Sequence, residues 1–190
     1  MIHLPNVISV CRLATAPVLL VLAWAGSRRV FLAVLVVAFA SDVLDGYLAR
    51  RFGHTSDLGA RLDSVGDFAI YSTMPLAAWW LWPDMVRREA PYVIAVIASF
   101  VLPPVIAFCK FRQFASYHTF AAKLAALLVG GSGMLWLAGG PAWVFRLATP
   151  ISIIAACEEV AITLVLTQRR AHVRSLWHAM KLKQAATESP

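Results

Sequence analysis

Long apolar runs broken by short polar segments set the pattern of this chain. Six runs approach or exceed the roughly 20 apolar residues a bilayer-crossing helix needs: residues 10–26, 30–50, 57–82, 91–110, 117–138 and 144–167. The connections are short, at Gly26–Arg29, Arg51–Ser56, Trp82–Ala90, Phe111–Ser116 and Gly139–Trp143. Pro5 and Asn6 make Met1–Ser9 read as a short interfacial helix feeding the first span. The expected fold is therefore all-α: a polytopic membrane protein with six transmembrane helices plus an N-terminal interfacial helix. No linker or repeat divides residues 1–168, which read as one membrane domain, and residues 169–190 read as a basic cytoplasmic C-terminal tail. In that tail Arg169, Arg170, His172, Arg174, His178, Lys181 and Lys183 interleave with Leu176, Trp177 and Met180. Such a basic amphipathic segment is expected to lie along an anionic membrane surface.

Composition agrees with a lipid solvent. Of 190 residues, 60% are hydrophobic and 14% charged, where a soluble domain carries about a quarter charged residues. The mean hydropathy is +0.71. A net charge of +7 would suit nucleic acid in a soluble protein, but here basic cytoplasmic loops account for it and no nucleic-acid partner is expected. With the N-terminus inside, Arg12, Arg50, Arg51, Arg61, Lys110, Arg112, Lys123, Arg169, Arg170, Arg174, Lys181 and Lys183 fall on the cytoplasmic side. Only Arg28, Arg29, Arg87, Arg88 and Arg146 fall outside. That bias puts both termini in the cytoplasm, with Trp79, Trp80, Trp82, Trp136 and Trp143 as an outer aromatic belt. A multi-pass protein of a bacterial inner membrane is expected. Met1–Arg12 lacks the basic start and cleavage site of a signal peptide. Cys11, Cys109 and Cys157 form no ligand-spaced pair and read as small apolar residues.

The acids carry the chemistry. Five of the ten Asp and Glu lie within 26 residues: Asp42, Asp45, Asp57, Asp63 and Asp67. Acids inside a span are costly and mark function. Asp42 and Asp45 are spaced i, i+3, and Asp63 and Asp67 i, i+4, so each pair shares a helix face. A short connection makes the two helices antiparallel neighbours and lets the four carboxylates converge. Converging carboxylates raise one another's pKa unless a cation neutralises them. All-oxygen ligation suits Mg²⁺ or Mn²⁺, as one ion or as two about 3.5–4 Å apart. Gly46 leaves a bare surface for close approach, Ala49 extends it, Arg50 offers a fork of donors to phosphate, and Gly59 lies one turn before Asp63. Asp57, after Thr55 and Ser56, reads as a helix cap instead.

Read as a string, Asp42 to Asp67 is D-x2-D-G-x2-A-R-x8-G-x3-D-x3-D. It resembles the signature of the CDP-alcohol phosphatidyltransferase family at every fixed position. A weaker resemblance runs through Pro5-Asn6-x2-Ser9-x2-Arg12, the six spans and a Lys at the entrance of the fifth. The resemblance implies that Asp42, Asp45, Asp63 and Asp67 ligate metal. It implies that Asp67 is also the catalytic base on the acceptor hydroxyl. Gly46, Ala49, Arg50 and Gly59 would form the CDP-binding surface. It implies an enzyme that transfers a phosphatidyl group from CDP-diacylglycerol to a small alcohol and releases CMP. A homodimer is a further implication of the family.

The acceptor is less sharply marked. Glycerophosphate-using members usually read D-P-x-x-D-K at the second acid pair, and this chain has Ser64 and Phe68 at those two positions, closer to the serine- and inositol-type branches. Tyr71 and Pro75 also resemble serine-type members. Against that, Lys110, Arg112 and Lys123 cluster with Tyr117 and His118 and suit an anionic acceptor such as glycerol 3-phosphate or inositol phosphate. Positive-inside charge is the competing reading of that cluster. Glu158 and Glu159, inside the sixth run, read as partners of a basic or hydroxyl group on another helix. Gly130, Gly131 and Gly133 read as a close-packing face, and Pro103-Pro104 as a kink. A cation transporter is the alternative function, but transporter sites sit near the midplane at broken helices, whereas these acids gather toward one end of their spans.

Overall fold

The computed structural model describes residues 4–52, 57–112, 117, 119–166, 173 and 175–181; within these, side chains are described at 14–41 and from 69 onward. Every regular element among the described residues is helical. They fall into two compact units, Met1–Arg88 and Glu89–Pro190.

In the first unit, α1 spans Leu4–Trp24, α2 Arg28–Phe52, α3 Asp57–Leu81 and α4 Pro83–Arg88. α1 packs extensively along α3 and also along α2. The buried positions explain why. Ala16, Leu19 and Ala23 on α1 recur at three- and four-residue steps, as do Phe31, Leu35 and Ala38 on α2 and Ile70, Thr73, Ala77 and Leu81 on α3. That period puts one stripe of each helix against its neighbours. The opposite stripes carry exposed Val21, Val37 and Leu76. So much exposed aliphatic surface suits lipid rather than water. Gly26, at φ +71°, makes the turn from α1 to α2 in the left-handed region where a side chain is strained. At the same end Trp82 meets Phe31 edge-on at 5.9 Å and lies 5.8 Å beneath the Arg28 guanidinium. Arg87 sits 5.3 Å over Trp79.

In the second unit, α5 spans Ala90–Phe111, α6 Phe120–Leu137 and α7 Ala142–Val165. α7 packs along both α5 and α6. Its buried stripe, Phe145, Ala148, Thr149, Ser152, Ala155, Ile162 and Thr163, is mostly small, and small residues let helix backbones approach closely. Trp136 of α6 stacks on Phe145 at 5.0 Å, and Gly133 faces the same ring, with room for only an ordinary contact at 3.8 Å if a Cβ were added. Gly131 faces open space, so of the expected glycine face Gly133 takes part in packing and Gly131 does not. α5 runs unbroken through Pro103 and Pro104.

α5, α6 and α7 are each long and apolar enough to cross a membrane, with 22, 18 and 24 residues. At 1.5 Å per residue they reach about 33, 27 and 36 Å, against a hydrocarbon core of about 30 Å. Ile94, Leu127, Ile154 and Leu164 stand exposed along them. In the first unit, among the described residues, α1 carries the apolar stretch Ala14–Trp24. α2 and α3 have 25 residues each, enough by length for a span; the C-terminal turns of α2 and the N-terminal turns of α3 carry the acids and arginines.

Three features add to the sequence expectation. α1 is one helix from Leu4 to Trp24, so among the described residues the interfacial helix expected at Met1–Ser9 is not set apart from the first span; Pro5 falls in the first turn, where its missing N–H costs nothing. The stretch read as a loop after Trp82 contains α4, opened by Pro83 with Asp84 in its first turn and Arg87 and Arg88 in its last, a charge order that opposes the helix dipole. Residues 176–181 form a helical turn and a half that packs into the second unit. Val173 and Ala179 are buried with Ala107, Tyr117, Ile162 and Leu166.

Candidate functional site

The acid string falls on two helices, as its spacing predicts. Asp42, Asp45, Gly46, Ala49 and Arg50 belong to the last three turns of α2, and Gly59, Asp63 and Asp67 to the first three turns of α3. At 100° per residue, positions 42 and 45 lie about 60° apart around α2, and 63 and 67 about 40° apart around α3. Each pair therefore occupies one helix face. α1 is the shared neighbour of both helices. The connection at 53–56 and the side chains of residues 42–68, which include all eight expected metal- and CDP-binding positions, lie outside the described residues. By residue type, four aspartates with no sulfur or imidazole among them would suit a hard divalent cation.

The second group of expected site residues is described, and it behaves unlike a free anion cradle. The Lys110 ammonium donates to the carbonyls of Thr163 and Leu164, both at 2.9 Å. These carbonyls belong to the last turn of α7, which has no intrahelical donor for them, and a cation there also complements the helix dipole. Thr163 is fully buried, and its hydroxyl hydrogen-bonds the Glu159 carbonyl at 2.9 Å and the Tyr117 hydroxyl at 3.3 Å. Lys110 thus ties the end of α5 to the end of α7. Sequence reading missed this role because its partners lie 53 and 54 residues away.

Arg112 ends α5 at φ 53°, a left-handed conformation that glycine usually occupies. Its side chain is exposed, as is that of Lys123 in the first turn of α6. That turn is fixed by Thr119, fully buried, whose hydroxyl accepts from the Ala122 amide at 3.1 Å. His118 lies outside the described residues.

Glu158 does not pair with a basic residue or a hydroxyl in the interactions described. Its carboxylate accepts from the backbone amide of Leu176 at 3.2 Å, while Ser175 accepts from the His178 amide at 3.3 Å. Both bonds satisfy free amides at the start of the terminal helical turn. At the other end of α7, Arg146 donates through Nε and one terminal nitrogen to the two oxygens of Glu89, at 2.8 and 2.6 Å. This two-armed geometry holds the Glu89 carboxyl below its ordinary range. The pair joins the starts of α5 and α7 and makes no part of the acid string.

These helices define an all-helical protein with at least three apolar helices of membrane-crossing length. The model of the CDP-alcohol phosphatidyltransferase family matches residues 2–165, and the chain belongs to that family. Among its relatives, the cardiolipin synthase (CMP-forming) of Streptomyces coelicolor is 36% identical over 109 residues, 49% of each chain. The rat cardiolipin synthase (CMP-forming) is 28% identical over 119 residues, covering 62% of this chain and 38% of the relative. The CDP-diacylglycerol–glycerol-3-phosphate 3-phosphatidyltransferase 2 of Arabidopsis thaliana is 29% identical over 120 residues, covering 60% and 51%. The matches span about half the length of these relatives or less. No solved structure matches the chain.

Proposed function

We propose that this protein transfers a phosphatidyl group from CDP-diacylglycerol to the hydroxyl of a glycerol-bearing acceptor, with glycerol 3-phosphate the first choice, and releases CMP. The observation that carries the proposal is the placement of the complete acid string on the last turns of one helix and the first turns of the next, within a chain of this family. A bound Mg²⁺ or Mn²⁺, one ion or two, would neutralise the diphosphate and stabilise the departing CMP phosphate. Asp42, Asp45 and Asp63 would hold it, with Asp67 at its border. Gly46, Ala49 and Gly59 leave the helix surfaces bare for the cytidine diphosphate, and Arg50 meets its phosphate oxygens. Asp67 accepts the acceptor hydroxyl's proton as oxygen attacks the phosphorus that carries diacylglycerol. The P–O bond to CMP breaks as the new one forms.

The proposed architecture has six spans, with both termini and the acid string on the cytoplasmic side of a bacterial inner membrane, as the Lys and Arg bias supports. Acyl chains can then stay in lipid while the polar groups meet at the interface. The glycerol-type acceptor is supported by the relatives' names, which outweigh the serine-type cues at Ser64 and Phe68. Cardiolipin formation is the second reading, favoured by the Streptomyces and rat relatives. Arg112 and Lys123 are proposed to face an anionic acceptor, with Lys110 serving them only through its third donor. The test is a CMP-release assay with glycerol 3-phosphate, phosphatidylglycerol, inositol phosphate and serine in parallel, and mass spectrometry of the lipid product. A phosphatidylglycerophosphate product supports the first choice and cardiolipin the second. CMP release with none of the four overturns both.

A further inference from the structure

The short helix at residues 176–181 has two unlike faces. Leu176 and Ala179, one turn apart, face inward; Ala179 is fully buried beside Val173 in the cluster of Ala107, Tyr117, Ile162 and Leu166, and Leu176 packs against it. The segment is also pinned by its backbone, through Glu158 to the Leu176 amide. The other face holds Trp177 and Met180, 64% and 42% exposed, and Lys181, whose ammonium sits 3.7 Å over the Trp177 ring. Two hydrophobic side chains and a cation are thus held outward by a segment whose opposite face is locked. Such a display is costly in water and is the composition of an interfacial anchor, where an indole lies at headgroup depth and a basic side chain reaches phosphate.

Position and charge choose the occupant. The segment follows the end of α7 at Val165 and packs on its last two turns, so it sits where a span leaves the hydrocarbon. From Arg169 to Lys183 the sequence has five Lys and Arg and no acid. We propose that Val173 and residues 175–181 belong to an interfacial foot whose outward face, Trp177, Met180 and Lys181, rests on the bilayer and binds anionic lipid headgroups. The foot would hold the end of α7 at the membrane surface, independently of substrate at the acid string.

The test uses the full-length protein in phosphatidylcholine nanodiscs, with or without about one-third phosphatidylserine, at low salt. Trp177 is isolated as the difference in fluorescence between the parent and Trp177→Phe, with Trp177→Tyr as a second reference and circular dichroism confirming that each is folded. The expected Trp177 signal is quenched by brominated lipid, shielded from acrylamide, and more so with phosphatidylserine. Lys181→Gln should lower the gain from phosphatidylserine by about fivefold in the bound-to-free ratio of the segment. A signal open to acrylamide in both discs overturns the proposal. So does equal lipid quenching in both, which would mean anchoring without headgroup recognition. A signal that follows the number of protein copies per disc rather than the lipid would instead place a second copy on this face, and overturns it as well.

Discussion

Replacing Lys110 separates two roles that the sequence alone leaves together. Lys110→Met keeps most of the aliphatic length and removes the ammonium. The structure assigns that ammonium two bonds of 2.9 Å to the carbonyls of Thr163 and Leu164. A hydrogen bond to a charged group is worth about 1.5–3 kcal/mol net when buried. Lys110 is itself exposed, so water replaces part of what is lost, most readily at Leu164, whose bond is the more exposed of the two. The Thr163 carbonyl lies beside a fully buried residue and should account for most of the effect. A total near 1.5 kcal/mol follows, about a tenfold fall in the folded-to-unfolded ratio. The assay is reversible unfolding of the purified protein in mixed micelles, followed by circular dichroism, alongside acceptor saturation curves. The expected result is a clear loss of stability, with KM for the acceptor changed by less than the change produced by Arg112→Met. An unchanged unfolding midpoint, with KM raised tenfold or more, would refute the reasoning and make Lys110 an acceptor ligand.

Other consequences are as direct. Glu89 is held below its ordinary carboxyl value of 4.5 by Arg146, so the unfolded chain takes up this proton at higher pH than the folded one; the pair's contribution is complete above about 4.5 and fades as pH falls through the folded value. Glu89→Gln should flatten that part of the stability profile measured between pH 6 and the acid limit of folding. A Cβ at Gly140 would lie 2.7 Å from the Leu135 carbonyl oxygen, so Gly140→Ala should cost about 1–3 kcal/mol, while Gly131→Ala, in open space on α6, should be neutral or stabilising by up to about 1 kcal/mol; paired thermal melts decide. Thr119→Ala removes the cap of α6 and should cost about 1 kcal/mol, with Thr119→Ser retaining most of it.

Much of the fold was legible because bilayer-length apolar runs have sharp ends. The limits of α2, α3, α5, α6 and α7 fall within three residues of the apolar runs, since charges, glycines and prolines stop each run where the helix stops. α4 was missed because six residues carry no periodicity, although Pro83, Asp84 and the paired arginines are the helix signals that could have shown it. The acid string was legible for a different reason: carboxylates are rare in this chain, and their i, i+3 and i, i+4 spacing survives directly as helix register. What sequence spacing could not reveal were partners far along the chain. Lys110 reads as one of several cationic side chains near a loop until α7 is folded beside it. Glu158 reads as an acid inside a span seeking a basic or hydroxyl partner on another helix, and among the described residues it takes a backbone amide 18 residues on. The Ser175 cap was visible in principle, as a serine just before Leu176 and Trp177.

The central claim is that the acid string on α2 and α3 performs metal-assisted phosphatidyl transfer. Its most direct test is CMP release from CDP-diacylglycerol by the purified protein with glycerol 3-phosphate and Mg²⁺, comparing parent, Asp67→Asn and parent with chelator. The account predicts release by the parent, a fall of at least about 100-fold in Asp67→Asn, as expected for loss of a general base, and abolition by chelation that Mn²⁺ or Mg²⁺ restores. Release that persists undiminished in Asp67→Asn and in chelator would contradict it.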